Sequence, residues 1–126
     1  MSVLLASVFA LGLAVPVLDV PSGQPVELFD VLIDEVNAET WLRFRFLAPE
    51  IARDTGSISF VQAEPDLEYL CAKVALPYMM EFDLAPEIVA VMILDQPMGF
   101  GVSDPDVTQF VDLFRVSSGA CVWEGL

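Results

Sequence analysis

Asp104 and Asp106, with Thr108 two positions further on, form the pattern D-x-D-x-T. In phosphoryl transfer, one aspartate of such a pair attacks phosphorus, the second protonates the leaving group, and Mg²⁺ holds both. That chemistry needs the pair at the end of a buried parallel strand, and here Gly99-Phe100-Gly101-Val102-Ser103 precedes it. The two acids are therefore read as a turn or a helix start. Glu64, Asp66 and Glu68, with Glu81 and Asp83 beyond them, offer clustered oxygens. No spaced calcium loop with its glycine accompanies them, so a solvated acidic face accounts for the cluster. Carboxylate pairs for glycoside hydrolysis converge in space rather than in sequence, and the spacing nominates none.

Histidine is absent from the chain, which removes the commonest general base and metal ligand and most triad chemistry. Cys71 and Cys121 have no imidazole to generate a thiolate, and no C-x-x-C spacing suggests a dithiol catalyst. No catalytic residue, metal or cofactor is expected. Five bases against nineteen acids give a formal charge of −14, a field that repels nucleic acid and anionic lipid surfaces. Among so few bases, Arg43 and Arg45 fall with Trp41 on one face of a strand. They make an exposed stripe able to stack on or clamp an anionic group, and this is the possible recognition surface. Cross-strand pairing with some of the many acids is the plainer use of the same two arginines.

Positioning these groups falls to a single domain, the natural unit for 126 residues. A hydrophobic fraction of 56% with nine Phe supplies a core and argues against disorder. Residues 3–15 (VLLASVFALGLAV) are apolar but shorter than the roughly 20 residues of a membrane span. They include Gly12-Leu13-Ala14, with small residues where a signal peptidase reads, and polar sequence follows from Asp19. Residues 1–14 are thus read as a signal peptide and 15–126 as one small domain in the periplasm, with no membrane span after cleavage. Two cysteines in a short exported chain read as a disulfide between Cys71 and Cys121. Trp123 is expected to pack against that bridge.

The spacing predicts strands at Val26–Asp34 and Thr40–Ala48, joined through Asn37-Ala38-Glu39, and a short strand at Ser57–Gln62. Pro65–Leu76 predicts a helix: Leu67, Leu70, Cys71 and Val74 make one apolar stripe, Pro65 suits the first turn, and Pro77 ends it. Glu87–Leu94, apolar on both faces, predicts a central strand. Val107–Val116 fits either period, and its β-branched and aromatic residues favour a hairpin with Ala120–Glu124. The fold class is α+β, a mostly antiparallel sheet of about five to six strands with one packed helix, preceded by a signal peptide.

Val20-Pro21-Ser22-Gly23-Gln24, Arg43-Phe44-Arg45-Phe46 running to Pro49, Asp66 through Leu70-Cys71, Phe100-Gly101, Gln109-Phe110 and Cys121-Val122-Trp123-Glu124 span the mature chain. In these patches, above all the closing Cys-x-Trp-Glu, the sequence resembles an uncharacterised family of small exported proteins of Gram-negative bacteria, a domain of unknown function. The resemblance implies an exported, disulfide-bonded fold and no activity. Similar sequences sometimes carry the label acetolactate synthase, but a thiamine-diphosphate enzyme needs several times this length and a diphosphate-binding segment. The expected role is a non-enzymatic periplasmic domain that binds or assists another periplasmic or membrane-associated protein. A small carboxylate-dependent hydrolase and an inhibitor or immunity-type protein with an acidic binding face are the alternatives.

Overall fold

In the computed structural model, residues 17–125 are described; the segment read as a signal peptide lies outside them. Five strands form one sheet in chain order: β1 (Glu27–Val36), β2 (Glu39–Leu47), β3 (Ile88–Leu94), β4 (Gln109–Ser117) and β5 (Ala120–Trp123). All neighbours run antiparallel except β2 and β3, which are parallel and therefore need a crossover. Both terminal hairpins close in two residues at positive φ, Asn37 (51°) with Ala38 (67°) and Ser118 (52°) with Gly119 (76°). That backbone matches the twist of the flanking strands and fixes their register. The C-terminal hairpin is as the sequence led us to expect, and β4 is a strand.

The crossover is an unbroken helical run with three parts, α1 (Phe60–Leu70), a π-helical turn (Cys71–Ala75) and α2 (Leu76–Glu81). Here two expectations are corrected. Ser57–Gln62 is not a strand: Ser59 caps α1, its Oγ accepting from the Gln62 N–H while Gln62 Oε1 accepts from the Ser59 N–H. This capping box overrides the β-branched and aromatic composition of the segment. Nor does the helix run from Pro65 to Leu76. Pro65 lies inside α1, and Pro77 is carried within α2 because the turn before it widens, the Leu76 N–H reaching the Cys71 carbonyl five residues back. A wide turn relieves the clash a proline ring makes with the carbonyl four residues earlier. Among the described residues no helix is long and apolar enough to cross a membrane.

The run covers one face of the sheet. Ala63, Leu67, Leu70, Cys71 and Ala75 meet Leu42, Phe44, Phe46, Val89, Val91, Ile93 and Phe114 in the core, and Tyr78 packs edge-on against Phe44 at 5.3 Å between ring centres. Asp66 is fully buried in this layer rather than part of a solvated acidic face. Its carboxylate accepts from the Ser22 N–H (2.8 Å), the Ser22 hydroxyl (2.6 Å) and Gln24 Nε2 (2.8 Å), which ties the segment before β1 to the helix. Burial of this acid is tolerable because three donors satisfy it.

Cys71 and Cys121 are bonded, with Sγ atoms 2.06 Å and Cα atoms 6.3 Å apart, across 50 residues of chain. Replacing both by serine is expected to lower the unfolding free energy by about 3–4 kcal/mol; urea titration checks this, and reductant should weaken only the parent protein. Burial, aided by the charge of Glu81, raises the Tyr78 pKa. The fold thus favours neutral tyrosine: the stability it contributes is full below the unfolded value of about 10 and is lost as pH rises through the folded one. Tyr78→Phe is expected to flatten that alkaline loss in thermal melts.

Candidate functional site

On β2, Leu42, Phe44 and Phe46 face the helix, so Trp41, Arg43 and Arg45 face the other way. The structure brings this predicted trio together but does not leave it as an exposed stripe. Arg45 is 2% exposed. Its Nε donates to Asp30 Oδ1 at 3.0 Å and its Nη1 to the Met98 carbonyl at 2.8 Å. Arg43 makes a two-pronged pair with Asp34 (3.3 and 3.4 Å). Aromatic faces complete the stack: Trp41 lies 4.8 Å and Phe100 5.0 Å from the Arg43 guanidinium, and Phe29 lies 5.0 Å from that of Arg45.

A bulge in β1 makes this possible. Register shifts between Leu28 and Asp30, so Phe29 and Asp30 together oppose the single residue Arg45. One neighbour supplies charge and the other a ring. The correction has a plain electrostatic cause: a guanidinium on this sheet face needs a carboxylate, and the register places Asp30 opposite Arg45 and Asp34, opposite Trp41, diagonal to Arg43 on the same face. Trp41 Nε1 is buried without a partner among the described residues.

The other arginines are engaged too. Arg115 donates to Glu39 (3.0 Å) and pairs with Glu124 (2.9 Å), and these two partners raise its pKa, Glu39 foremost. Arg53 donates to the Pro105 carbonyl at 2.6 Å. The D-x-D-x-T run is a turn: Asp104 Oδ1 accepts the Asp106 N–H (2.9 Å), and the Asp104 carbonyl accepts the Val107 N–H (3.1 Å). Its oxygens hold backbone.

A groove of about 370 Å³ lies between α1 and the C-terminal hairpin, lined by Val61, Glu64, Pro65, Glu68, Asp112, Phe114 and Trp123. Trp123 does not lie covered against the disulfide; it is 62% exposed, and its Nε1 donates to Asp112 Oδ1 at 3.2 Å. Sequence reasoning missed the groove because its walls are some fifty residues apart in the chain. The available signals were two glutamates four apart on a helix and a tryptophan two residues from a cysteine. Among the described residues, no three of Asp, Glu, His or Cys are grouped so as to hold a metal ion.

Arg45→Met is expected to destabilise the fold by about 1–3 kcal/mol, because it strands the Met98 carbonyl and Asp30. The effect is less than for a fully buried pair, since the Asp30 side chain stays 35% exposed. Urea denaturation beside Arg53→Met, which removes only a peripheral contact, checks it.

The sequence model of a family described as "Family of unknown function (DUF6497)" matches residues 4–126. No curated protein and no solved structure matches the chain.

Proposed function

We propose that this chain, which belongs to the family of unknown function DUF6497, is an exported accessory domain that works by holding a basic surface of another periplasmic or membrane-associated protein. The observation that carries this reading is the disposition of charge. All four arginines are engaged in internal contacts, while Glu35, Asp54, Glu64, Glu68, Glu81 and Asp83 stand exposed. Arg53 and Lys73 are the exposed bases, so the outward field remains strongly negative, in keeping with the formal charge of −14. Such a field speeds encounter with cationic surfaces and penalises anionic ones. The disulfide and the apolar segment at residues 3–15 support an oxidising compartment outside the cytosol.

A carboxylate hydrolase is the weaker reading. Asp112, the buried acid of the groove, already accepts the indole N–H of Trp123. Glu64 and Glu68 stand on the same helix rather than facing each other across a cleft.

Fractionation of the native host, followed by cross-linking at low and high ionic strength, tests the proposal. The protein is expected in the periplasmic fraction with its cysteines oxidised. It should be joined to a basic partner whose recovery falls severalfold between about 50 and 200 mM salt, as screening of exposed charge requires. Recovery of no partner at any ionic strength, or of reduced protein in the cytosol, overturns it.

A further inference from the structure

The groove between α1 and the C-terminal hairpin holds three carboxylates that no basic residue of the described chain pairs. Asp112 sits on the helix-facing side of β4 and is only 7% exposed. One of its oxygens receives the Trp123 indole N–H, and the other, which is not among the buried atoms left without a partner, opens onto the groove. Above it on α1 stand Glu64 and Glu68, four residues apart and thus on one helix face, a like-charge spacing that disfavours the helix. None of the four ion pairs among the described residues involves these three acids.

The remaining walls are apolar. Val61 is 76% exposed, the Phe114 ring is buried, and Trp123 offers its indole with the orientation set by Asp112. Pro65, lacking an N–H, leaves the Val61 carbonyl without its usual helical donor. Carboxylates on both walls, an aromatic face beside one of them and an apolar rim match a cation on an aliphatic stem. The carboxylates are not grouped for a metal ion, and about 370 Å³ suits a side chain or a small ligand.

We infer that this groove is the docking point of the basic partner and takes a lysine or arginine side chain, flanked by apolar residues, from it. The inference rests on the reading of the preceding section and adds the surface and the anchoring chemistry. The cation would pair with Asp112 in the field of the two glutamates while its stem and neighbours cover Trp123 and Val61.

The test is a titration of the full, oxidised domain with a hexapeptide carrying one arginine between leucines, followed by tryptophan fluorescence and amide NMR shifts. Shifts are expected to concentrate at residues 61–68, 112–114 and 121–123. Affinity should fall about tenfold or more in Trp123→Ala and in the Glu64→Gln/Glu68→Gln double variant, and remain unchanged in Glu35→Gln, an exposed acid elsewhere. Matching thermal melts exclude unfolding, which the exposure of the substituted side chains already disfavours. Three outcomes overturn the inference: shifts spread evenly over the acidic surface, equal binding of a glutamine-for-arginine peptide, or equally tight binding of tetramethylammonium or Ca²⁺ alone. If the partner cross-linked from the native host is captured undiminished by Trp123→Ala, the groove fails and the broader reading survives. If no partner is recovered, the broader reading fails.

Discussion

The bond between Cys71 and Cys121 joins the helical run to the last and shortest strand, and much of the molecule depends on that junction. β5 has four residues and pairs with β4 alone, so backbone hydrogen bonding holds it weakly. The covalent link sets the distance between helix and hairpin. That distance in turn defines the groove, whose walls are α1 on one side and Asp112, Phe114 and Trp123 on the other. At the opposite end of the layer, Asp66 gathers Ser22 and Gln24. A bond and a buried carboxylate thus fix the helix to the two ends of the described chain.

The two sheet faces handle polarity differently. Beneath the helix the sheet is apolar apart from Asp112. On the other face, Arg43 and Arg45 are made compatible with burial by Asp34, Asp30, a backbone carbonyl and three aromatic rings. The bulge at Phe29 is what lets both kinds of partner reach Arg45. Apart from the Trp41 indole N–H, the donors of this cluster that are named here have acceptors, which adds rigidity.

The sequence was most legible where a single period governed. Alternation in Thr40–Ala48 and the apolar run Glu87–Leu94 marked β2 and β3, and the stripe Leu67, Leu70, Cys71, Val74 marked the buried side of the helix. It misled where local preference and tertiary context disagree. Ser57–Gln62 has strand composition, yet Ser59 and Gln62 are spaced for a cap. Pro65 and Pro77 read as punctuation, but the first is tolerated inside α1 and the second follows a widened turn. The fates of Asp66, Arg43 and Arg45 were hidden for another reason: their surroundings depend on strands, turns and loops brought together by folding. Separation in sequence concealed the groove in the same way.

The wide turn at Cys71–Ala75 sets the phase of everything after it. An α-helix advances about 100° per residue, so one extra residue in a turn rotates the remainder by that amount about the axis. Met79 is buried in the core beyond this added rotation. Removing one residue from the turn would leave a regular helix with the later residues in their present phase, whereas straightening the turn at its present length would rotate them by about 100°. The irregularity therefore works as a phase correction, and one further residue inserted between Cys71 and Pro77 would turn the rest of the run away from the core.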